Sequence, residues 1–278
     1  MLSLNSRKFL FHFFIIAGAI LMLYPVFWMI SSSFKPTELI FKEAGLWPKD
    51  FTLAHYVKGW AGVARTTFTT FYLNTFIMVG LAIIGNLISC TLVGYAFARL
   101  EFRFKKTLFA CMLLTLMIPH HVIVIPQYII FNELEWIDTL LPIVVPKFFA
   151  VDAFFIFLIV QFIRALPRDL DEAARVDGCG PFQTFWRIIL PLTQPALVTV
   201  TLFTFMWTWN DFFSQLLYLN SAKNFTVTLA LRMFIDAEGE SGLGSLFAMS
   251  TLSIIPIFLV FVFFQKYLVE GIATSGLK

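Results

Sequence analysis

Three groups of side chains in this 278-residue sequence have the types and spacing to do chemistry. The first is a pair of opposite charges, Lys147 and Asp152, inside an otherwise apolar run. Ionisable groups in such a run are costly to shield from water and often mark a polar pathway. Lys147 lies near one end of the run, where its long stem can carry the ammonium to an interface. Asp152 lies deeper. It either faces a polar cavity and accepts hydroxyl donors, or pairs with an opposite charge elsewhere. The second group is Trp207, Trp209, Asn210 and Asp211, at the end of a later run. Indole faces, an amide and a carboxylate suit a sugar, which offers C–H faces and many hydroxyls. Trp also collects at membrane interfaces, so a plain anchoring role competes. The third group is the polar segment 167–191. One further pair, His120 and His121, is adjacent and therefore diverges on a helix; no cysteine or carboxylate stands at ligand spacing, so no metal site is expected.

The elements that must position these groups follow from composition. Residues AVILMFWYC make up 59% of the chain, charged residues only 13%, and there are 35 phenylalanines. A soluble domain carries about 25% charged residues, and a globule of this size cannot hide so much apolar surface. That excludes a cytosolic enzyme, a disordered protein and a nucleic-acid binder; the net charge of +3 suggests no polyanion partner. Cys90, Cys111 and Cys179 are scattered and odd in number, which fits neither a disulfide framework nor a metal knuckle. The expected fold is all-α, a polytopic membrane protein lying in the bilayer.

A spanning helix needs about 20 mostly apolar residues. Six runs qualify, at about 9–30, 73–97, 107–126, 140–163, 188–210 and 245–265. They are too long for the alternating strands of a membrane β-barrel. The first has basic Arg7 and Lys8 before it but no small-residue cleavage site, so it reads as a retained helix. Of 20 basic and 17 acidic residues, only Lys147 and Asp152 fall inside these runs. Arg99, Arg103, Lys105 and Lys106 follow the second run; Arg164, Arg168, Arg175 and Arg187 follow the fourth. The connection after the third is acidic, with Glu133, Glu135 and Asp138. Six crossings with both termini in the cytoplasm satisfy this bias. Prolines at 119, 126, 142, 146, 191, 195 and 256 interrupt the runs. Such breaks persist in a membrane where protein or a wet cavity satisfies the freed carbonyls, a transporter-like pattern, although ordinary kinks in a bundle read the same way. The spans leave no room for a soluble domain, so 1–278 is a single transmembrane domain. There is no phosphate-binding G-x-x-x-x-G-K-[ST] loop.

The polar segment has clear local chemistry. Pro167 suits a first helical turn, and Asp169, Asp171 and Glu172 favour the positive helix start. Ala173 and Ala174 are small, strong helix formers. After Arg175, Val176 and Asp177, Gly178 stands where a left-handed residue ends a helix. Pro181 can open a second, amphipathic helix through Phe182, Phe185, Trp186 and Ile189 into the fifth run. A short exposed helix with an alanine face suits docking in a partner's groove; a solvated interfacial hairpin is the plainer reading.

Here the sequence resembles a known family. Glu172, Ala173, Ala174, then Gly178, then Ile188, Leu190 and Pro191 match the signature loop of permease subunits of binding-protein-dependent ABC importers, with every fixed position present. Nearly the whole chain is also similar to the carbohydrate-uptake, MalG-type branch: Leu46-Trp47-Pro48, Asn74-Thr75, the stretch from Tyr95 to Leu100, Met117-Ile118-Pro119, Trp209-Asn210-Asp211-Phe212 and Gly276-Leu277-Lys278. Val160 before Gln161, and Glu135-Trp136, depart from the branch's usual residues. The resemblance implies a type I ABC importer permease fold for a sugar or oligosaccharide, or, as the alternative, a glycerophosphate or other small polar solute. It implies that loop 164–187 couples to ATPase subunits through Glu172, Ala173, Ala174, Asp177, Gly178, Ile188, Leu190 and Pro191. It implies a second permease subunit in a heterodimer, two ATP-binding subunits that hold ATP and magnesium, and an extracytoplasmic solute-binding protein. This chain would then carry no cofactor and catalyse nothing itself. Asp152, Trp209, Asn210 and Asp211 are the candidate substrate pathway. The glycine-rich acidic stretch 236–244 reads as a mobile outer loop, and by resemblance Asp236, Glu238, Gly239 and Glu240 would contact the binding protein. The tail 274–278 would likewise reach the ATPases. Competing classes are a six-span secondary transporter or channel working alone, and a membrane-embedded enzyme, for which no H-E-x-x-H, G-x-S-x-G or paired intramembrane aspartates are present.

Overall fold

The computed structural model describes residues 4–43 and 45–273. The expectations for the tail 274–278 lie outside the described residues. Fourteen α-helical segments and shorter turns make up the described chain, with a lone bridge between Val63 and Thr66 in place of any strand. The apolar runs fold as helices because, in hydrocarbon, only intrasegment hydrogen bonds satisfy every backbone group.

In chain order the helices are α1 (Leu4–Ser32), α2 (Ala54–Ala61), α3 (Phe68–Arg99), α4 (Lys105–Thr115), α5 (His120–Glu133), α6 (Leu141–Val144) and α7 (Ala153–Ala165). Then come α8 (Asp169–Val176), α9 (Pro181–Thr184), α10 (Leu190–Leu192), α11 (Gln194–Asn210), α12 (Phe213–Tyr218), α13 (Val227–Glu238) and α14 (Leu243–Ala273). The chain forms two compact units, 1–69 with 230–256, and 70–229 with 257–278.

In the first unit a buried lysine organises the connection after α1. The ammonium of Lys35 donates to the carbonyls of Glu43 (3.0 Å) and Gly45 (2.6 Å), which holds that connection closed. His55 of α2 is hydrogen-bonded to the Lys35 carbonyl at 2.8 Å. Phe34 stacks on Phe51 with centroids 5.0 Å apart, and Trp28 meets Phe247 edge to face at 5.5 Å.

The second unit has two apolar clusters. One joins Tyr95 and Phe97 of α3 to Phe155, Ile159 and Ile163 of α7 and to Phe185 and Ile189. Gly94 permits this close approach: a Cβ there would lie 2.6 Å from the Cγ2 of Ile159. The other joins Met78 and Val79 of α3, Phe131 of α5, Ile143 of α6, Trp209 of α11 and Tyr218 of α12.

The expected spans are present as helix but are less regular than six straight rods. Four stretches are long and apolar enough to cross a bilayer: Leu10–Ser32, Phe68–Arg99, Leu141–Ala165 and Leu243–Lys266. A fifth is the pair Pro181–Leu192 and Gln194–Asn210, bent by 73°. The third expected run is divided into α4 and α5, each too short alone. Pro119, extended at ψ 131, ends the continuity because proline has no N–H for the ladder. The fourth run is interrupted too: α6 passes into a 3-10 turn (Val145–Phe149), then left-handed Ala150, before α7 restarts at Ala153. In the fifth, a π turn (Phe185–Ile189) precedes α10. Such a wide turn makes room for a following proline, here Pro191. The stretch expected as an open outer loop is mostly helical, since α13 runs through Asp236 to Glu238 and a 3-10 turn (Gly239–Gly242) leads into α14.

Candidate functional site

The polar segment folds as its sequence dictates. Asp169, Asp171 and Glu172 occupy the first turn of α8 and Arg175 the last, so the charges complement the helix dipole. Gly178 follows at φ +80°, a left-handed conformation that favours glycine. The N–H of Cys179 closes the turn on the carbonyl of Ala174 at 2.8 Å. Along this short helix Glu172, Ala173, Val176 and Asp177 are exposed, and Ala174 faces inward. The two signature alanines therefore divide: one packs, one is presented.

What fixes α8 is the end of α3. Arg99 sits with its Nε 3.2 Å from the Asp171 carboxylate, an ion pair with both side chains largely buried. The same guanidinium donates to the Leu166 carbonyl at 2.9 Å. The Tyr95 hydroxyl donates to the Pro181 carbonyl at 3.0 Å. One turn of α3 thus grips the segment before and after α8. Ile188 and Leu190, expected among the coupling residues, pack against the apolar cluster of α3 and α7, and Pro191 sits just before the bend. They anchor and shape the segment, whereas Glu172, Ala173, Asp177 and Gly178 form its outer surface. Phe182 and Trp186 are exposed beside it.

The interrupted fourth span brings Lys147 and Asp152 together. The ammonium lies 2.9 Å and 3.2 Å from the two carboxylate oxygens. Neither of the separate roles expected for these residues includes this mutual pair, because a straight helix would not aim positions five apart at each other. The freed carbonyls are covered by α3: the Ser89 hydroxyl donates to the Lys147 carbonyl at 2.6 Å. Asn86, fully buried, donates to the Thr204 hydroxyl of α11 at 3.1 Å.

A cleft of about 460 Å³ opens beside this break, lined by Lys147, Trp207, Thr208, Asn210, Asp211 and Ser214. Asn210 and Asp211, two of the residues named for a substrate pathway, line it. Trp209 does not: it is buried against Phe76 and Phe205, with ring centroids 5.1 and 5.3 Å away. Trp207 is the indole on the cleft, half exposed and stacked on Phe155 at 5.2 Å. Asp152 reaches the cleft only through Lys147. The Asp211 carboxylate accepts from the Ser214 N–H at 3.0 Å and so starts α12.

Two features of the other connections were not visible in the sequence pattern. Asp138, left-handed at φ +61°, accepts from the backbone N–H groups of Asn220 and Ser221 at 2.9 and 2.7 Å and from the Ser221 hydroxyl at 2.5 Å. Partial burial alone would raise its pKa, but these hydrogen bonds outweigh it and hold the carboxyl at about 2. Asn74 donates to the carbonyls of Lys223 and Phe225 at 2.8 and 2.9 Å, tying down the same connection from α3. On α13, Asp236 pairs with Arg232 one turn earlier at 3.1 Å, both exposed; Glu238 ends the helix, and Gly239 and Glu240 lie on the following turn. Among the described residues no group of histidine, cysteine and carboxylate side chains is arranged to hold a metal.

The chain is similar to known proteins along most of its length. Residues 90–274 match the family described as binding-protein-dependent transport system inner membrane component. The chain is 31% identical to the diacetylchitobiose uptake system permease protein DasC of Streptomyces coelicolor, over 92% of each chain. It is 31% identical to the trehalose/maltose transport system permease protein MalG of Thermococcus litoralis, over 95% of this chain and 96% of that one. Among solved structures, a bacterial ABC transporter involved in the import of the acidic polysaccharide alginate shares the fold. The TM-score is 0.83 at 24% identity, covering 96% of this chain and 99% of that one.

Proposed function

Because the chain belongs to the family of binding-protein-dependent transport system inner membrane components, and is a multi-pass membrane protein of that family, we propose that it is one permease subunit of an ATP-driven importer for a sugar or oligosaccharide. It works with a second permease subunit, two ATP-binding subunits and an extracytoplasmic solute-binding protein. ATP and magnesium are held by the ATP-binding subunits, and hydrolysis occurs there. Six crossings, α4 and α5 together forming one broken crossing, keep both termini and α8 in the cytoplasm, in line with the distribution of arginine and lysine.

The observation that carries this reading is the gripped but outward-facing α8. A helix of 8 residues is about 12 Å long, the scale of a ball that seats in a groove. Its outer face carries Asp169, Glu172, Arg175 and Asp177 around the apolar Ala173 and Val176. Its inner face is fastened through Asp171 to Arg99. A displacement of α8 by closing ATPases would therefore pass directly into α3 and α7, which meet face to face at Gly94. Tilting those helices alternates access to the cleft at Lys147, Asn210 and Asp211. Asp152 supports the cleft by fixing Lys147, and Trp207 supplies the aromatic wall. On the outer side Asp236, Glu238, Gly239 and Glu240 form the proposed contact with the binding protein.

The test is a reconstituted importer. Glu172→Lys reverses the charge presented by α8 while leaving the Arg99–Asp171 pair intact. Transport and substrate-stimulated ATPase activity should both fall by at least about tenfold, with membrane insertion unchanged. Normal coupling in that variant and in Gly178→Val would remove the basis for assigning α8 to the ATPase contact.

A further inference from the structure

We propose that the cleft beside the broken fourth span is a saccharide subsite on this chain that selects uncharged sugars, and that Asp211 determines this selectivity. The inference rests on the permease reading and narrows its substrate class. Three observations carry it. First, Trp207 is held as a rigid platform: Phe155 stacks on it at 5.2 Å, and Phe203 and Phe154 brace it at 5.4 and 5.6 Å. With its remaining surface half exposed toward the cleft, it offers an indole face to the C–H side of a pyranose. Second, the volume of about 460 Å³ lies in the range of small-ligand sites and is enough for one or two sugar rings. Third, the charges do not balance toward an anion. Lys147 is the cation on the wall, and Asp152 already engages it through both carboxylate oxygens. That leaves Asp211 as the uncompensated charge on the cleft.

Asp211 gives one acceptor position to the Ser214 N–H. An ionised carboxylate has about four acceptor positions, so the others suit hydroxyl donors. A neutral sugar supplies those donors. A uronate or phosphate ester would instead face Asp211 as a like charge, and the Lys147 it could reach has its charge already offset by Asp152. The glycerophosphate alternative is disfavoured on the same ground.

The experiment uses the membrane complex of both permease and both ATP-binding subunits in lipid nanodiscs without the solute-binding protein, with maltotriose as the neutral probe and digalacturonate as the anionic one, and binding measured by calorimetry. The wild type is expected to bind maltotriose at least about tenfold more tightly, the scale of one unscreened like charge at the wall. Asp211→Asn keeps the helix cap, since Asn caps as well as Asp, and should shrink that ratio several-fold. Trp207→Ala should weaken maltotriose binding about tenfold or more, and Trp207→Phe should restore part of it. Equal binding of the two probes, an unchanged ratio in Asp211→Asn, or binding of neither probe would overturn the proposal. The permease reading is scored separately by the loss of coupling in Glu172→Lys, so the two can fail independently.

Discussion

Lys147 and Asp152 show how a costly charge is kept within an apolar run. Each side chain is about a quarter exposed, so their attraction is only partly screened by solvent. Removing one partner leaves the other unpaired beside apolar neighbours. Lys147→Ala should therefore destabilise the protein by about 1–3 kcal/mol. Lys147→Ala combined with Asp152→Ala should recover part of that loss, measured as thermal unfolding in detergent. Asp138 gives a pH signature of opposite location. Its folded pKa of about 2 is below the ordinary value of 3.8, so its contribution is fully present above about pH 4 and is lost as pH falls toward 2. Asp138→Asn should flatten the acid limb of stability against pH, and an unchanged limb would assign the acid sensitivity elsewhere. The sequence named the charged residues but not their pairing. Nor did it say which indole is buried: Trp207 and Trp209 stand two apart on a helix that is apolar on all sides, and such a helix gives no amphipathic signal to say which faces the core.

At the scale of elements, the helix, turn and helix of the polar segment 167–191 were legible because their chemistry is local. Acidic residues at the helix start, a helix-ending glycine and a proline to reopen the helix all act within a few residues. Gly178 illustrates the limit that backbone sets. No atom lies within 4 Å of where its Cβ would be, so a side chain has room there and only the φ of +80° resists it. Gly178→Asn should thus fold and couple better than Gly178→Val, because Asn tolerates left-handed backbone and a β-branched residue does not. Coupling by Gly178→Val equal to wild type would show that α8 needs no fixed end. The segment around Asp236 was not legible, since glycines and acids read as loop by composition. Two things draw it into helix: the Arg232–Asp236 pair one turn apart, and burial of Phe234 against Phe68, with centroids 6.2 Å apart. The second is a tertiary contact that composition cannot report. The broken spans were half legible. Prolines flagged all three, and Pro146 opens the 3-10 turn of the fourth, but the left-handed Ala150 and the Ser89 hydroxyl on the Lys147 carbonyl had no signal in the sequence.

For the whole molecule, hydropathy gave the fold class and charge asymmetry gave an orientation, because both are sums over many residues and tolerate local error. That orientation makes a clean forecast. Val176 is 88% exposed on α8, and Trp47 is 89% exposed in the connection after α1. Single cysteines at these positions, in a background lacking Cys111 and Cys179, should react with a membrane-impermeant maleimide from opposite sides: Val176→Cys from the cytoplasm, Trp47→Cys from outside. Labelling of both from one side would refute six crossings.

The break in the fourth span also bears on how the chain enters its membrane. A charged residue at the centre of an inserting helix is disfavoured by about 2.5–3.5 kcal/mol, and this segment carries Asp152 at depth and Lys147 nearer one end, along with a carbonyl that no helix satisfies. Ser89, whose hydroxyl donates to the Lys147 carbonyl at the break, belongs to a helix synthesised earlier. The fourth segment is therefore a dependent passenger during biogenesis: it leaves the translocation channel stably only once α3 is already waiting in the lipid to receive it. Order of emergence, and not hydrophobicity alone, is then written into a polar residue of α3.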